Sequence, residues 1–222
     1  KRGAVVGGGL LGLEAAGALK NLGIETHVIE FAPMLMAEQL DQMGGEQLRR
    51  KIESMGVRVH TSKNTLEIVQ EGVEARKTMR FADGSELEVD FIVFSTGIRP
   101  RDKLATQCGL DVAPRGGIVI NDSCQTSDPD IYAIGECASW NNRVFGLVAP
   151  GYKMAQVAVD HILGSENAFE GADLSAKLKL LGVDVGGIGD AHGRTPGARS
   201  YVYLDESKEI YKRLIVSEDN KT

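Results

Sequence analysis

Apolar and polar positions along the chain follow two different periods. Ala4 to Val6 form a run that is apolar on both faces, as a buried parallel strand requires. Leu11, Ala15, Leu19 and Leu22 then recur at helical spacing, and Gly23 is placed to cap the helix end. THVIE (26–30) reads as a second strand ending in an acid. LDQMGGEQLRRKIESMG (40–56) predicts a second helix with Leu40, Met43, Leu48, Ile52 and Met55 inward and Gly56 closing it, and VRVH (57–60) a third strand.

From there the period changes from 3.6 to 2. TLEIVQEG (65–72) and ARKTMRFADGSELEVD (75–90) alternate, with Asp83-Gly84 between two runs as a hairpin signal, and Phe91 to Ser95 form a final apolar strand. A βαβαβ unit followed by an antiparallel meander is therefore expected. Beyond Pro100 the texture loosens. GIVIND (117–122) and DIYAIGECA (130–138) read as strands separated by the turn-forming SDPD, and GYKMAQVAVDHILG (151–164) as a helix ending at Gly164. The tail holds a glycine-rich stretch (182–198) and two alternating strands, YVYL (201–204) and EIYKRLIV (209–216), before polar SEDNKT. A lone hairpin there is marginal in water.

Composition narrows the function classes. The 222 residues are 42 % hydrophobic and 25 % charged, ordinary for a globular protein that buries a real core. A net charge of −6 with dispersed basic residues argues against a nucleic-acid or acidic membrane surface. Cys108, Cys124 and Cys137 are too few and too far apart for a zinc or iron–sulfur site, so no metal is expected, and unpaired thiols fit a cytoplasmic location. Lys1-Arg2 before an apolar, glycine-rich run imitates a signal peptide, but Glu14 interrupts it and no run reaches the ~20 residues of a membrane span.

The candidate chemistry lies in the first turn. Gly7, Gly9 and Gly12 have G-x-G-x-x-G spacing with Leu10 and Leu11 inside it, and Glu30 stands at the end of the second strand. The first glycine makes the tight turn, the second admits a diphosphate and the third lets helix and strand pack closely. The diphosphate then faces the positive end of the helix. Glu30 would accept hydrogen bonds from the adenosine ribose and repel a 2′-phosphate, so NADH is expected over NADPH. The residues alone leave two rivals open. One is a methyltransferase using S-adenosylmethionine, which also combines a glycine loop with an acid after strand two; the other is a nucleotide-sensing module without catalysis.

VVGGGLLGLEAAGAL (5–19), FIVFSTGIRP (91–100) and GGIVINDSCQTSDPDIYAIGECA (116–138), in that order, resemble the pyridine nucleotide–disulfide oxidoreductase superfamily over about residues 1 to 165. The tail AKLKLLGVDVGGIGD (176–190) is similar to the segment after the flavin domain in large subunits of NADH-dependent assimilatory nitrite reductases, and rubredoxin reductases carry a related stretch. The resemblance implies an α/β fold: a Rossmann-like, three-layer NAD-binding domain with a meander (1–98), the rear half of a second, FAD-binding Rossmann-like domain (99–170), and the start of a truncated α+β interface domain (171–222).

It also implies roles. Gly7, Gly9, Leu10, Leu11, Gly12 and Glu30 would hold NADH, and Thr96, Gly97 and Ile98 would form the crossover beside the nicotinamide. Gly135 would precede Glu136, which would accept hydrogen bonds from the ribityl hydroxyls of FAD. Glu14 would lie near the nicotinamide as the catalytic acid, although a solvated acid near a helix N-terminus is an equal reading. Trp140 and Tyr152 are read as packing or surface aromatics, and His27, His60, His161 and His192 as scattered, without chemistry.

The implied activity passes electrons from NADH through FAD to a small subunit or downstream redox domain, with nitrite reduced to ammonia in a full enzyme and a rubredoxin or ferredoxin reductase as the near alternative. A homodimer is a further expectation. Sirohaem and an iron–sulfur cluster would lie in parts absent here, as would the flavin domain's own glycine turn, so this chain is expected to be an internal piece that binds FAD weakly or not at all and is inactive alone.

Overall fold

A computed structural model describes residues 1–73, 75–172, 175–180 and 183–219. Gly182, which opens the glycine-rich stretch of the tail, and the last three residues of its polar end lie outside the described residues. The chain divides into two compact units, Lys1–Thr96 together with Ser175–Thr222, and Gly97–Leu174.

The first unit begins β1 (Arg2–Val6), α1 (Leu10–Asn21), β2 (Glu25–Ile29), α2 (Gln42–Ser54) and β3 (Arg58–His60). The meander β4 (Thr65–Gln70), β5 (Lys77–Phe81) and β6 (Glu86–Val89) follows, and then β7 (Phe91–Phe94). Four strands pair in parallel in the order β3-β2-β1-β7, while β4-β5-β6 form an antiparallel sheet. Neighbouring residues of β1 face opposite layers. Val5 packs with Leu13, Ala16, Leu48 and Ile52 on the helical side, and Ala4 with Met79, Phe81 and Val89 on the meander side. Burial on both faces explains the unbroken apolar run.

α2 turns Leu48 and Ile52 inward as its spacing predicts, and in α1 Ala15 and Leu19 pack against the core as expected while the fully buried stripe lies beside them. In α1 the buried residues are Gly12, Leu13, Ala16 and Gly17, while Leu11 and Leu22 are exposed by 65 % and 74 %. Gly9 is the N-cap, so the turn out of β1 fixes the phase of the helix, and the small residues of its inner stripe let it approach the sheet. In α2, Gly44, Gly45, Leu48 and Ile52 are buried and Met43 is exposed. A Cβ on Gly45 would lie 2.9 Å from the Met34 Cβ, too close for a side chain.

Two hairpins complete this unit, β10 (Ala176–Leu180) with β11 (Val183–Gly187), and β12 (Arg199–Asp205) with β13 (Ile210–Val216). The pattern did not predict the first, but it is anchored: Leu178 is fully buried with Leu13, Leu48 and Ile52, and Val183 and Val185 pack against that cluster. The second hairpin is not left alone. Asp41, the N-cap of α2, accepts hydrogen bonds from the Gly44 N–H (2.9 Å), Tyr211 Oη (2.5 Å) and an Arg213 guanidinium nitrogen (3.0 Å). Burial raises the Asp41 carboxyl, but the Tyr211 and Gly44 hydrogen bonds and the Arg213 charge outweigh it, so it stays below the usual value. Burial and the Asp41 carboxylate push the Tyr211 phenol up to about 12.

The histidines are not all scattered. His27 Nδ1 and His60 Nε2 lie 2.9 Å apart, with the ring centroids 5.2 Å apart and the ring planes 2° from parallel, so the imidazoles meet edge to edge. His27 is 2 % exposed, and its other nitrogen is 3.4 Å from Glu25. Parallel pairing of β2 with β3 brings the two together.

The second unit holds α3 (Lys103–Gln107), β8 (Ile118–Ile120), a 3₁₀ turn at Gly135–Cys137, β9 (Ala138–Trp140) and α4 (Val148–Ile162). β8 and β9 pair in parallel. Its core joins Ile120, Cys124, Ala133, Met154 and Phe169, with Trp140 edge-on to Phe169 at 5.1 Å, while Tyr152 is exposed. The first part of DIYAIGECA forms no ladder strand. A single bridge joins Tyr132 to Gln125, and the Ala133 N–H donates to the Cys124 carbonyl, so this backbone is satisfied by a loop rather than a neighbouring strand. α4 starts earlier than its pattern suggests, with Pro150 in the first turn, where its missing N–H costs little. Among the described residues no helix is long and apolar enough to cross a membrane.

Two outcomes follow for stability. Burial holds the His27 and His60 imidazoles below the ordinary 6.5, so the unfolded chain takes up protons first as pH falls. The contribution of this pair to stability is full near neutrality and is lost progressively as pH falls below about 6.5. The melting temperature should fall from about pH 7 to about pH 5, and His60→Gln should make that fall shallower; equal slopes would remove the pair as its source. Tyr211→Phe should speed hydrogen exchange in β12 and β13 by about tenfold, the loss of one hydrogen bond to a charged group, and leave β1 and β2 protected.

Candidate dinucleotide-binding site

The turn between β1 and α1 is built by crowding. Gly7 adopts φ +117°, and a Cβ there would overlap the carbonyl of Ser95, the residue that follows β7. A Cβ on Gly12 would overlap the Gly7 carbonyl oxygen. These two positions therefore exclude side chains for internal reasons. Gly9 is different: a Cβ there would meet nothing within 4 Å. Its φ of −84° suits any residue, so the absence of a side chain leaves open space rather than relieving strain. No side chain caps α1, and the first-turn N–H groups of Leu10 and Leu11 face the positive end of the helix uncapped.

Glu30 stands beside this turn. One carboxylate oxygen accepts from the Gly8 N–H at 2.5 Å and the other from the Ala32 N–H at 2.6 Å. A carboxylate offers about four lone-pair sites, so each oxygen keeps one for a ribose hydroxyl. Two backbone donors fix the orientation of that acid before any ligand arrives. Gly8 lies outside the G-x-G-x-x-G positions, and the spacing alone did not single it out. Its role is spatial, since a Cβ would come 2.6 Å from Leu35 Cδ2 and 2.9 Å from Glu30 Oε2.

The structure thus brings Gly7, Gly9, Gly12 and Glu30 together in the first unit, with Leu10 half-buried and Leu11 exposed. Glu14 is exposed on α1, past the first turn, where the dipole of the helix has largely faded. Thr96 ends this unit.

In the second unit Gly97, at φ +92°, opens the loop that carries Ile98. Ile98 and Glu136 line one cleft of about 360 Å³, together with Arg99, Pro100, Arg101 and Cys137. Gly135 has φ +76°, its N–H donates to Met154 Sδ at 3.3 Å, and a Cβ on Gly151 would lie 3.2 Å from its Cα. The 3₁₀ turn bearing Glu136 is thereby held against α4. Nothing in GIRPR marks Arg99 and Arg101 as lining a cleft with Glu136, since the two segments lie far apart along the chain. Among the described residues no cluster of three or more His, Cys, Asp or Glu could hold a metal ion.

Comparison with known proteins bears on this geometry. The family model for pyridine nucleotide-disulphide oxidoreductases matches residues 1–161. The large subunit of the NAD(P)H nitrite reductase of Klebsiella oxytoca is 58 % identical over 221 residues, covering 100 % of this chain and 23 % of that protein. The NAD(P)H nitrite reductase of Bacillus subtilis strain 168 is 42 % identical over 217 residues, 97 % of this chain and 26 % of that protein. The chain thus spans about a quarter of the length of these relatives. A crystal structure of an FAD-dependent pyridine nucleotide-disulphide oxidoreductase from Desulfovibrio vulgaris superposes with a TM-score of 0.82 at 26 % identity, over 98 % of this chain and 56 % of that one. The glycine turn that crowds Gly7 and Gly12 and leaves Gly9 open lies inside the matched span, and the chain belongs to the pyridine nucleotide-disulphide oxidoreductase family.

Proposed function

We propose that this chain is the NADH-binding part, with the rear half of the FAD-binding part, of a flavoprotein that passes electrons from NADH to a downstream centre. One observation carries the reading. The glycine turn is closed to side chains at Gly7 and Gly12 for its own packing, yet open at Gly9, beside an acid held with two free lone-pair sites. That is the shape and charge a dinucleotide with a free 2′-hydroxyl needs. The similarity to nitrite reductases supports nitrite reduction to ammonia as the activity of the parent enzyme, with a small subunit or further redox domain carrying the acceptor centres.

The residues fit the two cofactors in different ways. NADH would lie with its diphosphate over Gly9, Leu10 and Leu11 and its adenosine ribose on Glu30. Glu136 would accept hydrogen bonds from the ribityl chain of FAD, and Thr96, Gly97 and Ile98 would form the crossover near the nicotinamide. When bound, NADH supplies a hydride and FAD accepts it and releases electrons singly; the protein contributes position and electrostatics. Glu14 is the acid we assign near the nicotinamide. On this reading residues 1–98 serve NADH, 99–170 serve FAD, and 171–222 begin an interface domain. Free thiols favour a cytoplasmic setting, and the exposed strip from Tyr201 to Leu204 favours a homodimer.

Calorimetric titration of NADH into the chain, with circular dichroism as the check on folding, tests the reading. Saturable binding is expected, and Glu30→Arg should weaken NADH by about tenfold to a hundredfold and narrow the gap to NADPH, the range for losing hydrogen bonds to a charged group. A folded chain indifferent to NADH would sink the proposal.

The glycines separate binding from stability. Gly9→Ala should leave the melting temperature nearly unchanged, since its Cβ meets nothing, yet cut NADH affinity by at least about tenfold by occupying the diphosphate's space. Gly12→Ala should instead lower the melting temperature, because its Cβ cannot coexist with the Gly7 carbonyl. Thermal melts and titrations of the two variants make the comparison, and equal affinity in Gly9→Ala would place the ligand elsewhere.

A further inference from the structure

Two imidazoles lie close along the backbone to the acid of the glycine turn. His27 points away from Val28, which belongs to the helical cluster, and His60 is next to Ile29 in register, so both rings lie on the meander side of the sheet. β3 is a three-residue edge strand that ends at His60. The backbone from His60 onward clamps the segment bearing Glu30. The Glu30 N–H donates to the His60 carbonyl (2.8 Å), the Lys63 N–H to the Glu30 carbonyl (2.9 Å) and the Ser62 N–H to the Ala32 carbonyl (2.9 Å). Ala32 and Gly8 in turn supply the two N–H groups that aim the Glu30 carboxylate. A short edge strand opens at low cost, so its side-chain contacts decide whether the clamp holds. The hydrogen bond between His60 and His27 ties the end of β3 to β2.

The surrounding charges make that bond sensitive to protons. Glu25 on β2 approaches His27 Nε2 at 3.4 Å, but it also holds Arg2 of β1 and Arg58 of β3. Lys63, in the loop after β3, adds positive charge near His60 and binds Asp83 and Ser85 of the β5–β6 turn. Asp90, at the end of the meander, accepts from the Arg2 backbone N–H at 2.6 Å, while α1 and α2 pack on the other face of the sheet. One proton can be shared, since the second ring still offers a lone pair. A second proton leaves no acceptor between the rings and sets two cations among Arg2, Arg58 and Lys63. We propose that His27 and His60 are positioning residues for Glu30 and couple dinucleotide binding to pH. The inference rests on the dinucleotide reading above and adds a means of regulation to that site. With the bond intact, the clamp holds Glu30 toward the ribose. With both rings charged, the end of β3 parts from β2, Glu30 loses its fixed backbone and affinity falls. Burial already disfavours the charged rings, so the bound state keeps them neutral and ligand binding in mild acid expels a proton.

Calorimetric titration of NAD+, which survives mild acid better than NADH, from about pH 7.5 to about pH 5.5 tests the coupling, with circular dichroism marking the range in which the chain is folded. Affinity should fall by about tenfold, the limit for one linked proton over one pH unit. His60→Gln keeps a polar side chain that cannot take up a proton, and should hold the fall under about twofold. A wild-type affinity that does not change, or an equal fall in the variant, would overturn the proposal. A second measurement needs neither variant nor ligand: the amide resonances of Gly8 and Ala32 should titrate with the same midpoint as the ring protons of His27 and His60. Amides that stay still while the rings titrate would overturn the proposal as well. Failure of the dinucleotide reading looks different: NAD+ would not bind even at about pH 7.5, yet the Gly8 and Ala32 amides would still follow the rings.

Discussion

In the first unit the Gly12 Cα lies so close to the Gly7 carbonyl oxygen that no side chain fits between them, and Gly7 is pressed in the same way against the Ser95 carbonyl. This contact between backbones joins β1, α1 and β7 at one point, and the rest of the unit is arranged around it. It sets where α1 begins and hence which of its faces meets the sheet. It brings the uncapped N–H groups of the first turn to the rim of the parallel strands, where a dinucleotide can reach them. It also positions Gly8, whose N–H orients Glu30. On the proposed reading, geometry that is internally necessary also serves to recognise the dinucleotide.

Polar groups elsewhere in the unit are organised by a second constraint, that buried donors and acceptors must find one another. Asp41 caps α2 and receives Tyr211 and Arg213 from the last hairpin, so a helix terminus also serves as the anchor of a distant segment. His27 and His60 meet the same demand by sharing one hydrogen bond, which requires at least one neutral imidazole. Two charged rings would put N–H against N–H, so the hydrogen-bonded pair belongs to neutral pH. In the second unit the loop bearing Arg99 and Arg101 is tied down through the Asp102 carboxylate, while both arginines are exposed to solvent.

Much of this was legible in the residues. The unbroken apolar run of β1, the alternation around Asp83-Gly84, the glycine spacing and the acid at Glu30 all state local requirements, because each depends on neighbours a few positions away. The parallel pairing of β1 with β2 and of β2 with β3 follows from the helical crossovers between them, whereas β7 joins the sheet through the meander. Less was legible where period does not define phase. Leu11, Leu22 and Met43 sit at helical spacing and still face solvent, because the tight turn out of β1 and the small-residue inner stripe centre α1 on Leu13 and Ala16, while α2 keeps the predicted Leu48 and Ile52 inward and leaves only the edge position Met43 outside.

The hairpin of β10 and β11 and the loop around Tyr132 escaped the pattern for a related reason: a strand exists only if a partner strand lies beside it, and pairing is a property of space. The sequence by itself determined the turn chemistry, the apolar strands and the identity of the groups that can meet a dinucleotide. Only the tertiary structure decided that Gly8 holds Glu30, that His27 meets His60, that Asp41 receives Tyr211 and that Arg99 and Arg101 share a cleft with Glu136. Most of these partners lie far apart along the chain, and no local propensity encodes their distance. It emerges from the packing of every element between them.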